Sequence, residues 1–141
     1  MIGPHLLDTS ALLAHCLEEP GFDVVEALLE SHPDAVFVSA ITWLEFQLRL
    51  VELIPVAGQR AEVLAIYEEL LTRTLPVTRE VASLAFDLRQ RVPIRIPNGD
   101  ALIAATAKSV NAVLVHRDPH LGAIPTRLVK QLVLPARSAT Q

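Results

Sequence analysis

The chain has 141 residues, of which 51% are hydrophobic and 20% are charged, and its formal net charge is −4. This length and composition are typical of one folded domain with a single core. No apolar run approaches the roughly 20 residues of a membrane-spanning helix, and the chain starts without a basic, apolar leader, so we expect a cytoplasmic protein.

The only cysteine, Cys16, has no second cysteine with which to form an internal disulfide. It lies in a helical pattern without a basic neighbour that would stabilise a thiolate. We therefore predict a small buried apolar residue, which agrees with a reducing compartment.

The two halves of the chain differ in charge. Residues 1–72 carry 2 basic and 12 acidic side chains, whereas residues 73–141 carry 10 basic and 4 acidic ones. Such a split is typical of a protein that presents a positive face to a polyanion. The alternative is that the two halves pack together and neutralise each other.

Strand patterns and helix patterns alternate along the chain. Short apolar runs, β-branched or aromatic at their centres, predict strands, and apolar residues at helical spacing predict the helices between them. Pro93 and Pro97 predict an extended segment over residues 92–97, because each proline disfavours helix in the residue before it. The predicted strands are residues 5–7, 35–39, 75–77, 112–115 and 132–134. The predicted helices begin at Thr9, Phe22, Thr42, Gly58, Arg79 and Asn98, and the third to fifth run to about Pro55, Thr72 and Arg91.

This alternation predicts an α/β fold with a central, mostly parallel sheet of about five short strands, flanked by helices. We expect one domain over residues 1–134 and a frayed tail over residues 135–141. Thr42 is predicted to cap the third helix, with Glu45 three residues later as a capping-box partner. The orientation of the helix pair over residues 42–72 does not follow from its periodicity.

Four carboxylates are predicted to meet at one edge of this sheet. Asp8 ends the first strand, Asp118 follows the fourth strand, and Glu45 lies early in the helix after the second strand. Asp100 lies in the first turn of an alanine-rich helix that should be buried. The helix before it, over residues 79–91, runs roughly 20 Å toward the amino edge of the sheet, and the extended segment 92–97 is long enough to return the same distance. The helix that carries Asp100 therefore also begins at the carboxyl edge.

Each acid alone has an ordinary structural explanation as a helix cap or a turn former. Four carboxylates at one edge, however, raise each other's pKa unless a cation lies among them. Oxygen ligands favour Mg²⁺ or Mn²⁺, and an ion held in this way binds a phosphate oxygen and lowers the pKa of a water molecule. The pattern therefore predicts a metal site suited to the hydrolysis of phosphodiesters.

The same segments resemble a known family. Leu6-Leu7-Asp8-Thr9-Ser10, then Ser39 and Glu45, then Asp100-Ala-Leu-Ile-Ala-Ala-Thr-Ala, and finally Arg117-Asp118 are similar to the motifs of PIN-domain ribonucleases, most closely those of VapC-type toxins. The resemblance implies a PIN fold and a Mg²⁺- or Mn²⁺-dependent endoribonuclease, the toxin of a toxin–antitoxin pair. It also implies a homodimer that is blocked by a cognate antitoxin protein.

The resemblance assigns Asp8, Glu45, Asp100 and Asp118 to catalysis, with Asp8, Asp100 and Asp118 as metal ligands. One position departs from the family pattern, since His116 stands where a Thr or Ser hydroxyl is usual.

Several further residues have a possible supporting role. Ser10 is either a helix cap or a group that orients a phosphate or a water molecule. Arg117 either contacts substrate phosphate or pairs with a local acid. His116 and His120 are candidates for a proton shuttle or a phosphate contact. Candidates for an RNA-facing surface are Arg89, Arg91, Arg95, Arg127 and Lys130.

Two apolar features also have predicted roles. Trp43 is expected to pack in the core or between subunits. The helix pair is predicted to present a hydrophobic groove for a partner helix or a second copy of the chain, around Leu48, Val51, Val63 and Tyr67.

Two other functions fit parts of the pattern. An interaction module with a PIN-like fold and no activity is motivated by His116. A metal-dependent phosphatase or phosphotransfer domain is disfavoured, because Asp8-Thr9-Ser10 lacks the second aspartate that is typical of aspartate-nucleophile phosphatases.

Overall fold

Five parallel strands form one sheet in the order β3-β2-β1-β4-β5. The structure, a computed structural model, describes residues 2–71 and 73–137. The strands are β1 (His5–Leu7), β2 (Val36–Ser39), β3 (Thr74–Leu75), β4 (Val113–His116) and β5 (Gln131–Val133). The helices are α1 (Thr9–Cys16), α2 (Phe22–Ser31), α3 (Ala40–Leu53), α4 (Ala57–Leu70), α5 (Arg79–Arg91), α6 (Asn98–Ser109) and α7 (Pro119–Gly122), with one 3₁₀ turn at Pro33–Ala35.

Helices cover both faces of the sheet. Successive strand residues point to opposite faces, so Leu6 and Leu114 pack against α5, α6 and α7. Leu7 and Val115 face the other way and pack against α1, α2, α3 and α4. This architecture confirms the predicted α/β fold, and it explains why the strands are apolar nearly throughout.

The alanine-rich helix α6 is buried, as predicted. Ala101, Ile103, Ala104 and Ala105 are each at most 1% exposed, and the small side chains allow α6 to pack closely against the sheet. Asp100 stands in its first turn, at the carboxyl edge of the sheet.

The predicted cap of α3 is wrong. The hydroxyl of Ser39, the last residue of β2, accepts a hydrogen bond from the backbone N–H of Ile41 at 3.1 Å, so α3 begins two residues before Thr42. Thr42 is a buried residue inside the helix. Glu45 consequently lies in the second turn of α3, where its carboxylate is free to contact other elements.

The last strand is shifted by one residue from the prediction. The last strand begins at Gln131, and the N–H of Leu134 donates to the carbonyl oxygen of His116 at 2.7 Å. After this strand, the guanidinium Nε of Arg137 lies 2.9 Å from a carboxylate oxygen of Glu19. Thr72 and residues 138–141 lie outside the described residues.

Within the described part of the chain, none of the helices combines the length and the apolar character needed to cross a membrane.

Candidate functional site

The four acids line one open cleft of about 280 Å³ at the carboxyl edge of the sheet. Asp8 follows β1, Asp118 follows β4, Glu45 comes from α3 and Asp100 from α6. Thr9, Ser10, Leu13 and Arg49 complete the lining. The structure therefore brings together all four carboxylates that the sequence pattern selected.

Asp8 is the most deeply buried of the four acids, with 3% of its surface exposed. Its Oδ1 accepts hydrogen bonds from the Ser10 hydroxyl at 2.7 Å and from the backbone N–H of Ala11 at 2.9 Å. Burial, with a smaller contribution from the Asp118 carboxylate, raises the pKa of Asp8 to about 7, although both hydrogen bonds lower it. Asp8 therefore gains most from a nearby cation.

Asp100, Asp118 and His120 form the exposed side of the cleft. One ligand atom from each lies within 4.8 Å of the other two. Burial, followed by the carboxylates of Asp118 and Glu45, raises the pKa of Asp100 to about 6, whereas His120 lowers it. Asp118 also caps α7, since its Oδ1 accepts from the backbone N–H of His120 at 2.8 Å.

Glu45 is held in the cleft by a hydrogen bond from Thr9, and Gly99 leaves room for its carboxylate. The hydroxyl of Thr9 donates to its Oε1 at 2.6 Å. A Cβ at Gly99 would lie 3.3 Å from its Oε2, so only glycine leaves ordinary contact distance at this position. Sequence reasoning missed both contacts, and only the position of Thr9 next to Asp8 signalled a site residue.

His116 is fully buried and has no contact with solvent. Its Nδ1 accepts a hydrogen bond from the backbone N–H of Asp118 at 3.1 Å, and its Nε2–H donates to Oε1 of Gln131 at 2.8 Å. The ring thus acts as an acceptor for the Asp118 amide, and His120 remains the histidine exposed at the cleft.

Arg117 directs its side chain away from the cleft. Its Nη2 lies 2.5 Å from Oε1 of Glu19, which agrees with the predicted alternative of an ion pair with an acid. Its backbone N–H donates to the Ser10 hydroxyl at 2.9 Å. Arg117 therefore contributes to the site through its main chain.

Arg49 is a cation at the cleft that sequence reasoning missed. It lines the cleft and pairs with Glu52 on the same helix. The signal was present in the sequence, because Glu45 and Arg49 are four residues apart and lie on one face of a helix.

The donor set fits a hard divalent cation. The cleft is open to solvent and is lined by oxygen donors of four carboxylates, with two hydroxyls that hold two of them in place. Carboxylates together with retained water molecules are the usual environment of Mg²⁺, and Mn²⁺ accepts the same ligands.

Three of the basic candidates for an RNA-facing surface occupy two separate places. Arg89 donates to the side chain of Asn98 at the start of α6, near Asp100. Arg127 and Lys130 line a different cleft with Lys108, beside the amino ends of β4 and β5. They therefore do not form one continuous stripe.

Two of the apolar predictions can be compared directly with the structure. Trp43 is half-buried and packs with Phe46, with 6.1 Å between the ring centres. Leu48 and Val51 are exposed, but Tyr67 is buried and bonded to His15, so it is not part of a groove surface. Cys16 packs against the core, and burial raises the pKa of its thiol.

These features define a class of parallel α/β proteins with an acidic cleft at the carboxyl edge of the sheet. The model of the PIN domain family matches residues 5–126. The chain belongs to the PIN domain family. This confirms the family and the fold that the motifs predicted. Comparison of the sequence with curated proteins found no significant match.

Several solved structures are similar to this chain. FitAcB from Neisseria gonorrhoeae is 28% identical with a TM-score of 0.66, over 90% of this chain and 95% of that one. VapBC-5 from Mycobacterium tuberculosis, a member of the VapBC family of toxin–antitoxin systems, is 26% identical with a TM-score of 0.68, over 94% and 99% of the two chains. DNA-bound VapBC from Salmonella typhimurium has a TM-score of 0.77 at 17% identity, over 94% and 98%, and supports the fold alone.

Proposed function

We propose that this protein is a Mg²⁺- or Mn²⁺-dependent endoribonuclease that acts as the toxin of a toxin–antitoxin pair. The observation that carries the proposal is the convergence of Asp8, Glu45, Asp100 and Asp118 in one open cleft. Membership of the PIN domain family and the likeness to a VapBC toxin–antitoxin structure support the biological role.

Asp8, Asp100 and Asp118 would hold the metal ion. When bound, the ion supplies charge neutralisation at a phosphate oxygen and lowers the pKa of a water molecule. Burial and mutual repulsion keep the metal-free acids partly protonated, so ionisation and ion binding are coupled.

The remaining residues of the cleft position these groups and the substrate. The Thr9 hydroxyl donates a hydrogen bond to Oε1 of Glu45. The other oxygen, Oε2, is left to accept a proton from an attacking water molecule. Ser10 holds Asp8 on one side and the Arg117 amide on the other. His120, with 58% of its side chain exposed, lies 3.4 Å from Asp118 and is available for contact with a phosphate.

Aromatic residues make up only 4% of the chain, so base stacking contributes little to substrate binding. Contacts with the phosphate backbone are expected to dominate instead. Arg49 at the cleft and Arg89 near the start of α6 are the nearest candidates for such contacts.

The decisive experiment compares cleavage of a broad RNA panel by wild type and by an Asp100→Asn variant, with Mg²⁺ or Mn²⁺ present. We expect loss of at least about 100-fold in cleavage rate, because a charged group that acts at the transition state is removed. Asp87→Asn is the matched control, since Asp87 is half-exposed on α5 and pairs with Arg91. Equal cleavage by wild type and Asp100→Asn contradicts the catalytic assignment, and a parallel DNA panel tests the preference for RNA.

Two surfaces fit the proposed partners. On α3, Leu44, Leu48 and Val51 recur at helical spacing, and each is more than half exposed, at 54%, 59% and 56%, so they form an apolar stripe suited to a helix of the antitoxin. Between α5 and α6, a cavity of about 500 Å³ is bordered by Phe86, whose surface is 66% exposed. We assign this second surface to the homodimer.

A further inference from the structure

A buried ion cluster lies directly behind the loop that carries Asp118. Glu19, in the turn between α1 and α2, is only 6% exposed, yet it binds two arginines. Its Oε1 lies 2.5 Å from Nη2 of Arg117, and its Oε2 lies 2.9 Å from Nε of Arg137. Three segments that are distant in sequence are thereby tied together.

Arg117 connects this cluster to the acidic cleft. Its side chain is 9% exposed and is held by Glu19, while its backbone N–H donates to the Ser10 hydroxyl at 2.9 Å. The same hydroxyl donates to Oδ1 of Asp8 at 2.7 Å. The residue before Asp118 is therefore fixed at both its side chain and its main chain.

The turn that carries Glu19 is itself well anchored. The N–H of Glu19 donates to the carbonyl of Ala14, and its own carbonyl accepts from the N–H of Phe22, both at 2.9 Å. Gly21 has a φ of +99°, and a Cβ there would lie 3.0 Å from Cβ of Leu134. The turn thus also contacts the segment that leads to Arg137.

The ion pair is better suited to orientation than to stability. A buried pair gains little net free energy, because the desolvation of both charges offsets their attraction. Each oxygen of the Glu19 carboxylate accepts from one arginine, and such charge-assisted hydrogen bonds fix the direction of the groups that they join. Within residues 2–71 and 73–137, Glu19 is the one carboxylate paired with Arg117, and Nη1 of Arg117 has no acceptor.

We propose that Glu19 is a positioning residue of the acidic site, and that Arg137 supports it from the second carboxylate oxygen. Glu19 orients Arg117, and Arg117 orients both the peptide that leads to Asp118 and the hydroxyl that holds Asp8. This rests on the proposed function only in that the positioned carboxylates are taken to bind a divalent cation.

The test measures binding of Mn²⁺ by its electron paramagnetic resonance signal, without any RNA. Glu19→Gln removes the counterion of Arg117 and is expected to weaken Mn²⁺ binding about tenfold, as is usual when a residue that orients a metal ligand is replaced. Glu18→Gln is the matched control, because it removes the same charge from the exposed neighbouring position and should leave the affinity unchanged. Equal weakening by both variants overturns the proposal, since the effect is then one of general charge.

Arg137→Gln provides a second, milder variant that keeps the pair between Glu19 and Arg117. We expect Mn²⁺ binding weakened about two- to threefold and faster amide hydrogen exchange at Arg117, whereas Arg91→Gln, which breaks a surface pair with Asp87, changes neither. If Glu19→Gln does not fold, this variant decides the question alone. Unchanged affinity and unchanged exchange overturn the proposal.

Failure of the proposed function gives a different result. If the wild type binds no Mn²⁺, the metal site is wrong, and the exchange rate of the Arg117 amide then tests the positioning role by itself. Unaltered exchange in both Glu19→Gln and Arg137→Gln overturns it.

Discussion

The protonation of Asp8 and Asp100 would link the proposed metal binding to pH. Their pKa values in the folded protein are about 7 and about 6, against 3.8 for the ordinary carboxyl group. Because the folded state binds these protons more tightly than the unfolded chain, their contribution to stability is complete below about pH 4. It falls as the pH rises above about 4, and it is lost once the pH has passed through the folded-state pKa values of about 6 and about 7.

We therefore expect the metal-free protein to lose stability between about pH 5 and about pH 8, and added Mg²⁺ to stabilise it increasingly over the same range. Thermal unfolding at both pH values, with and without Mg²⁺, measures the effect. Asp8→Asn keeps an oxygen acceptor for Ser10 and Ala11, so this variant should fold, show a flatter pH dependence and lose most of the stabilisation by Mg²⁺. The same Mg²⁺ stabilisation at both pH values would contradict the coupling.

His116 supplies the hydrogen-bond acceptor that a Thr or Ser hydroxyl would supply at the same position. Its Nδ1 accepts a hydrogen bond from the backbone N–H of Asp118, and its Nε2–H donates a second one to Gln131. Gln131 in turn donates to the carbonyl of Ile124 at 2.7 Å. The departure from the family pattern is thus accommodated by a polar network between β4, β5 and the loop after α7.

This network predicts coupling between His116 and Gln131. We expect His116→Ala to lower the free energy of unfolding by about 3 kcal/mol, through a cavity and lost hydrogen bonds, and Gln131→Ala by about 1 kcal/mol. The double variant should lose less than the sum, by about 1 kcal/mol. Urea unfolding of the three variants measures this, with His32→Ala as an exposed control; strict additivity would show that the two side chains act independently.

At the scale of elements, the contact between α3 and α6 determines where Glu45 lies. Gly99 lies in the first turn of α6, where a Cβ would lie 3.3 Å from Oε2 of Glu45 and 3.8 Å from Cγ2 of Ile41. Gly58 lies at the equivalent early position of α4, where nothing is within 4 Å of a Cβ. The two glycines therefore allow a matched comparison.

We expect Gly58→Ala to raise the free energy of unfolding by about 0.5 kcal/mol and to leave RNA cleavage unchanged, because alanine favours helix. Gly99→Ala gains the same preference but displaces the Glu45 carboxylate by a few tenths of an ångström, so cleavage should fall about tenfold without a matching loss of stability. Urea unfolding and single-turnover cleavage separate the two effects. Wild-type cleavage by Gly99→Ala would show that Glu45 has no fixed role.

The elements were predictable because their causes are local. Apolar runs predicted all five strands, and Arg79–Arg91 was predicted to the residue, since helical periodicity starts and ends there. The position of Asp100 at the carboxyl edge was predicted because the extended segment 92–97 spans about the same distance as the longer helix α5, given the greater rise per residue of an extended chain. The cap of α3 was missed because Ser39 and Thr42 both offer a hydroxyl, and only tertiary packing decides between them.

The links between distant segments were not predictable in the same way. Thr9 and Glu45 are 36 residues apart, and Arg117 and Glu19 are 98 residues apart. No local pattern specifies such pairs, because each depends on how two helices or loops dock after the sheet has formed. The sequence was sufficient to predict that four acids lie at one edge of the sheet. It was not sufficient to predict the hydroxyls of Thr9 and Ser10, or Arg117, as the groups that hold them there.

At the scale of the whole molecule, the two charged halves form only two ion pairs with each other among the described residues. Within the part of the chain that the structure describes, Glu19 is the one acid of the first half that pairs with arginines of the second half. The other arginine pairs, Arg49 with Glu52 and Arg91 with Asp87, stay within their own halves. The acidic half therefore keeps most of its charge, and two of its acids, Asp8 and Glu45, line the acidic cleft.

Substitutions in the two proposed partner surfaces should have different effects on binding. Leu48→Glu places a charge in the exposed stripe of α3, so it should abolish binding of the proposed cognate antitoxin and leave the proposed dimer intact. Phe86→Glu, beside the groove between α5 and α6, should give monomers that still bind the antitoxin. Both residues are more than half exposed, at 59% and 66%, so neither change is expected to disturb folding. Co-purification with the antitoxin and the mass in solution measure the two outcomes, and loss of both properties in either variant would show that one surface serves both partners.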